Sequence, residues 1–205
     1  MSASFDLSDP LLRFLSEVNP PEPSALQARR NQVALGQAVP DPMREDESAF
    51  LSFLLRQLDV RLAVQVGGTA GYAALIAAQA VRQNAGPGGR VFAFTEPATP
   101  LWHSAGVEST IVLQPSPAPQ GLIELGQLGY LGRIDFVLID REVNDGLELY
   151  EQALNLLHTG GTLLFAGALS QTSGVREIAR FAREDQRVRS VVATIGEGLL
   201  LVTKL

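Results

Sequence analysis

Residues 64–75 read VQVGGTAGYAAL, and their interpretation decides the fold. The stretch joins an apolar run, RLAVQV (61–66), to a run of helix formers, AGYAALIAAQAVRQ, through Gly67, Gly68 and Gly71. The first run is short and rich in β-branched residues, which predicts a buried strand. The second has helical periodicity and is stopped by AGPGG. A glycine turn between a strand and a helix commonly holds a nucleotide-like cofactor, because glycine lets the backbone approach a ligand and adopt positive φ. The same glycines can also serve turn geometry alone. A dinucleotide fingerprint needs glycine at the first, third and sixth positions. Counted from Gly67, those places hold Thr69 and Tyr72, and counting from Gly68 also fails. A P-loop ends in Gly-Lys-Ser/Thr, yet the one lysine of the chain is Lys204.

Outward from this turn, strands and helices alternate. A helix over REDESAFLSFLLRQL opens with acids, which suit the positive end of its dipole. RVFAF (90–94), STIVLQ (109–114), RIDFVLID (133–140) and TLLFAG (162–167) predict further strands. QGLIELGQLG, a segment through Leu147, Tyr150, Leu154 and Leu157, and GVREIARFARED predict helices, the second ended by HTGG. The chain closes with RSVVATI and LLLVTKL around the turn Gly196-Glu197-Gly198, which predicts an antiparallel hairpin. Such alternation favours an α/β fold with a mostly parallel sheet covered on both faces. Ligands of such sheets bind beyond the carboxyl ends of the strands, so the segments after Val66, Phe94, Gln114, Asp140 and Phe165 are the ones to search. Residues 1–42 read as a helical N-terminal extension broken by NPPEP and VPDP, with Asp9 and Pro10 starting a first short helix, and residues 43–205 as the domain.

The totals narrow the function. A net charge of −6 argues against a dedicated nucleic-acid binder, which needs a basic surface. The absence of cysteine excludes disulfides, thiolate metal sites and a cysteine nucleophile. No apolar run approaches a membrane span and the N-terminus does not read as a signal peptide, so the expectation is a cytoplasmic protein with no membrane or nucleic-acid partner.

The turn resembles the first motif of class I S-adenosylmethionine-dependent methyltransferases, and more narrowly of O-methyltransferases related to the caffeoyl-CoA and catechol enzymes. Their pattern is Glu-x-Gly-x-x-x-Gly-Tyr-Ser, and this chain has Gln65, Gly67, Gly71, Tyr72 and Ala73 at those places, with Gly68 and Thr69 between. The segments FVLID, LELYEQALNLLHTGGTLLF and RVRSVVATIGEGLLLVTKL are similar to the family's fourth and fifth strands and its closing hairpin. The resemblance implies a Rossmann-like seven-stranded sheet with an antiparallel last strand, an S-adenosyl-L-methionine cofactor, a small-molecule acceptor and a homodimer. It also implies that the turn meets the methionine part of the cofactor and that a carboxylate after the second strand bonds the ribose. Thr95 stands at that place and Glu96 one residue beyond, so Glu96 is the candidate acid. Ser116 falls where the family contacts the adenine. Asp140 ends the fourth strand and is the candidate for orienting a substrate or accepting a proton, and for contacting the cofactor; it can equally cap the turn that follows.

The family's divalent-cation ligands resemble Asp140 plus an Asp-Asn pair, but Ala166 and Gly167 replace the pair. The lysine expected just beyond Asp140 is also missing, with Val143 in its register, and the motif acid is Gln65. The expectation is therefore no metal site. His103 is a possible base, or a surface histidine; His158 sits where a cation suits a helix end. Glu142 and Asp145 read as first-turn acids, and Trp102 as pocket lining or packing. The favoured function is methyl transfer from S-adenosylmethionine to an oxygen of a small molecule without the family's cation. The alternative is a catalytically silent cofactor-binding or dimerisation module, with a nicotinamide-dependent oxidoreductase disfavoured by the turn.

Overall fold

The computed structural model describes residues 9–36, 43–68, 71–140, 145–170 and 174–205. Three helices, α1 (Asp9–Val18), α2 (Ser24–Ala34) and α3 (Glu45–Gln57), precede the first strand. Then β1 (Leu62–Val66), α4 (Tyr72–Ala85), β2 (Arg90–Phe94), α5 (Thr99–Ser104), β3 (Ile111–Leu113) and α6 (Ala118–Leu125) follow. The chain continues through β4 (Ile134–Ile139), α7 (Gly146–Leu156), β5 (Leu157–Ala166) and α8 (Val175–Glu184), and ends in β6 (Val188–Ala193) and β7 (Leu199–Lys204). The seven strands form one sheet in the order β3-β2-β1-β4-β5-β7-β6. Strands β1 to β5 are mutually parallel, and β7 is antiparallel to both β5 and β6. The hairpin expected around Gly196-Glu197-Gly198 is present, with Ala193 opposite Leu199.

Strand alternation sorts the core into two layers. Ala63, Ala93, Phe136, Leu138 and Leu164 face α3 and α4, whereas Val64, Val66, Val137, Ile139 and Phe165 face α6, α7 and α8. Helix α4 buries Ala73, Ala74, Ala77, Ala78 and Ala80, whose small side chains let it lie close on the sheet. The chain turns from β1 to β2 on one side of the sheet and reaches β4 on the other, so a crevice opens outside the carboxyl ends of β1 and β4. No helix among the described residues is long and apolar enough to cross a membrane.

One local expectation is corrected. HTGG does not end the helix before it: α7 stops at Leu156, and β5 begins at Leu157 and runs through His158–Gly161. The carbonyls left free at the end of α7 are taken by donors from elsewhere. The Lys204 ammonium donates to Leu154 (2.7 Å) and Leu157 (2.8 Å), and the amides of Gly132 and Arg133 donate to Asn155 (3.0 Å) and Leu156 (2.9 Å). With its end satisfied from outside, the helix needs no glycine cap. The extra residues are absorbed in the sheet, where the two-residue step Ile134–Phe136 of β4 lies beside the five-residue step Leu157–Thr162 of β5. Helix α5, between β2 and β3, was not expected from the sequence. Its 6 residues are too few to show a helical period.

Far from the crevice, α7 is tied to the start of β6. Tyr150 donates to Asp185 (3.0 Å), and Arg187 bridges Asp185 and Glu151, each at 2.7 Å. The Arg187 guanidinium holds the Asp185 carboxyl down at about 2, while burial, and then the same carboxylate, pushes the Tyr150 hydroxyl up. A depressed carboxyl stabilises the fold fully above its ordinary value near 3.8 and loses that contribution as pH falls through about 2. Acid denaturation followed by circular dichroism is expected to show this loss, and Asp185→Asn is expected to lower the melting temperature at pH 7 and to flatten the profile below pH 4.

Candidate functional site

The crevice is built around the glycine turn. The backbone of Gly67 (φ 84°), Gly68 (φ 76°) and Gly71 (φ 72°) is left-handed at all three positions. A residue with a Cβ pays roughly 1–2 kcal/mol for that conformation. The turn is stitched to its neighbours: Gly67 N donates to Phe94 O (2.9 Å), and Asp140 N donates to Val66 O (2.9 Å). The Thr95 hydroxyl donates to the Gly68 carbonyl. Thr69 lies outside the described residues, as do Glu142 and Val143.

Gln65 and Asp140 converge on Gly68. A Cβ on Gly68 would stand 2.9 Å from Asp140 Oδ2 and 3.7 Å from Gln65 Nε2. Both side chains are buried, Gln65 to 1% exposure and Asp140 to 9%. The Gln65 amide donates to the carbonyl of Gly67, holding the turn from beneath. Its other atom, Oε1, is buried with no hydrogen-bond partner among the described residues. An unsatisfied buried acceptor costs about 1–3 kcal/mol, so this oxygen is a place for a ligand donor. The Asp140 carboxylate beside Gly68, next to the Gln65 side chain, makes a locally electronegative cradle fit for a cationic group such as an ammonium. Asp140 also lines a cavity of about 510 Å³ with Asp145, Glu148, Phe165 and Glu177, beyond the ends of β4 and β5. Asp145 holds a left-handed backbone (φ 62°) at the start of α7.

The other predicted residues are placed differently. Glu96 is exposed immediately after Thr95. Ser116 donates to Glu124 Oε2 at 2.7 Å; this hydroxyl, and then the Gln120 amide, lower the Glu124 carboxyl below its ordinary range. Tyr72 and Ala73 are buried in the layer beneath α3 and α4. Ala166 ends β5 in the core, and Gly167 (φ 80°) follows. His103 is 81% exposed beside Glu108 (3.0 Å), and His158 pairs with Asp135 (3.3 Å) at the opposite end of the sheet. Neither histidine touches the cradle.

Two residues near the turn were not assigned to it from sequence. Trp102, read as pocket lining or packing, is 3% exposed and donates Nε1 to the Gly71 carbonyl at 3.1 Å. Its indole and Ala98 occupy the space a Cβ on Gly71 would need. Arg30, on α2, sets its guanidinium 5.5 Å from the centre of the Tyr72 ring. Glu22 anchors it through bonds of 2.6 and 2.7 Å and is in turn bonded by the Ser48 hydroxyl (2.5 Å). Burial raises the Glu22 carboxyl, but Arg30 and Ser48 outweigh it and hold the group below its ordinary value.

Residues 22–205 match the family model described as O-methyltransferase. The chain belongs to that family. It is 28% identical over 179 residues to the probable caffeoyl-CoA O-methyltransferase 1 of Dictyostelium discoideum, covering 78% of this chain and 76% of that one. It is 31% identical over 216 residues to the catechol O-methyltransferase domain-containing protein 1 of Mus musculus, covering 96% and 80%. Among solved structures, the O-methyltransferase from Bacillus cereus in complex with SAH superposes with a TM-score of 0.80 at 17% identity over 96% of this chain and 97% of that one. A methyltransferase from Geobacter sulfurreducens gives 0.76 at 19% identity over 97% and 99%. The seven-stranded fold expected from sequence is therefore that of class I methyltransferases.

Gly71→Ala is expected to destabilise the fold by more than about 2 kcal/mol, because the left-handed strain adds to the clash with Trp102 and Ala98. Urea denaturation measures it; a loss below about 0.5 kcal/mol would contradict the packing described.

Proposed function

We propose that this chain is an S-adenosylmethionine-dependent O-methyltransferase acting on a small molecule. The observation that carries the reading is the cradle at Gly68, where the Asp140 carboxylate and the side chain of Gln65, whose Oε1 is buried without a hydrogen-bond partner among the described residues, meet a left-handed glycine turn. Gln65 and Asp140 would accept hydrogen bonds from the ammonium of the cofactor, while Gly67, Gly68 and Gly71 would let the backbone approach its methionine part, with Thr69 the candidate between them. Tyr72 and Ala73 open α4 and fix the direction of the turn. Glu96 would bond the ribose and Ser116 would lie near the adenine. When bound, the cofactor supplies an electrophilic methyl group on a sulfonium. The residues around it bind, orient and exclude water, and such positioning is a large part of the catalysis of displacement. The cavity that Asp140 lines would take the acceptor, and Asp140 would orient its hydroxyl or receive its proton.

Transfer would proceed without the family's divalent cation. Magnesium keeps its waters and needs several hard oxygen ligands, whereas Ala166 and Gly167 bring no side-chain oxygen to the end of β5. The same proposal takes the protein as a cytoplasmic homodimer, with residues 1–42 an extension on a domain of residues 43–205. Apolar side chains exposed on α1, Leu11, Phe14 and Val18, support a surface that is covered in solution. Light scattering at micromolar concentration tests the dimer, and a monomer would remove it.

Calorimetry with S-adenosylmethionine and S-adenosylhomocysteine tests the main reading. Both are expected to bind in EDTA as well as in magnesium, and Gly67→Val and Asp140→Asn are each expected to weaken binding at least tenfold. Turnover on a panel of phenols and catechols separates an enzyme from a silent cofactor-binding module. Magnesium binding at micromolar affinity that vanishes in Asp140→Asn would overturn the metal-independent mechanism.

A further inference from the structure

We propose that Arg30 is a positioning residue for the cofactor turn, acting through the ring of Tyr72. The proposal rests on the cofactor reading above and adds that helix α2 helps to set the geometry of that site. Tyr72 is the first residue of α4 and directly follows Gly71, the last residue of the turn, so holding its ring holds the residue on which the turn ends. The ring is 1% exposed and is covered by the Arg30 guanidinium, 5.5 Å from its centre. A cation over a buried aromatic face is held by the ring quadrupole.

Arg30 is itself fixed rather than free to follow the ring. Its Nε and Nη2 grip Glu22 at 2.6 and 2.7 Å, and Nη2 also donates to Met43 O at 3.0 Å. Glu22 receives the hydroxyl of Ser48, which is buried on α3. Leu26, fully buried on α2, seats the helix that carries the arginine. The connection runs from α3 through Glu22 to α2 and from Arg30 onto the first residue of α4. Across the turn, Trp102 holds the Gly71 carbonyl from α5. The end of the turn is therefore held by an indole at the Gly71 carbonyl and a guanidinium over the Tyr72 ring, and each comes from an element outside the strand–turn–helix unit.

This arrangement explains why Arg30 is bidentate. A lysine would keep the charge but lose the planar fork that fixes it against Glu22. Affinity for the cofactor should therefore depend on charge over the ring and on its anchorage, not only on the stability of the fold.

The experiment is calorimetry of the full chain with S-adenosylhomocysteine, paired with melting temperatures. In wild type, binding establishes the cofactor reading; if wild type binds none, that reading fails before Arg30 is tested. Given binding, Arg30→Met is expected to weaken it about tenfold, in the range of a desolvated cation–π contact. Arg30→Lys should recover part of the loss. Asp185→Asn, remote from the site, should lower the melting temperature and leave affinity unchanged. In a Tyr72→Leu background, Arg30→Met should cost no further affinity. The proposal is overturned if Arg30→Met lowers only the melting temperature, if Arg30→Lys is as weak as Arg30→Met, or if the Arg30 loss is undiminished in the Tyr72→Leu background.

Discussion

The constraint on which this structure depends is the left-handed backbone at Gly67, Gly68 and Gly71. It lets the chain leave β1 and enter α4 while keeping the space above Gly68 free of side chain. Everything nearby is arranged against that turn. Thr95 and Gln65 bond its carbonyls, Trp102 bonds the carbonyl of Gly71, and Asp140 Oδ2 stands 2.9 Å from where a Cβ on Gly68 would lie. These contacts pre-form the site, so less ordering has to accompany binding.

The site's charge follows from the same packing. Glutamine replaces the acid of the related motif at position 65, leaving Asp140 as the carboxylate beside Gly68. The amide can donate to Gly67 and still keep an acceptor free, which a carboxylate cannot do. The replacement thus exchanges a charge for a structural bond.

Much of this was legible from sequence because glycine, periodicity and order carry it. Gly67, Gly68 and Gly71 announce positive φ, the alternating apolar runs announce the parallel sheet, and Gly196-Glu197-Gly198 announces the last hairpin. Gln65 and Asp140 were placed at strand ends, where the sheet brings them together. What escaped depends on contacts between distant parts of the chain. Trp102 sits on a helix too short to have a period, and nothing in LWHSAG shows that its indole reaches Gly71. Arg30 lies on α2, whose residues show no strong apolar face, and its tie to Tyr72 passes through Glu22 and Ser48. HTGG misled because the donors that end α7 come from Gly132, Arg133 and the last strand.

The last of those donors has a chemical corollary. Lys204 carries the chain's single side-chain amine, and that ammonium is committed to two carbonyls at the junction of α7 and β5. Apart from the α-amino group, the folded protein has no other amine for an acylating reagent to find. Acylation at Lys204, readable by mass spectrometry without introducing any label, therefore reports release of this side chain from the carbonyls of Leu154 and Leu157.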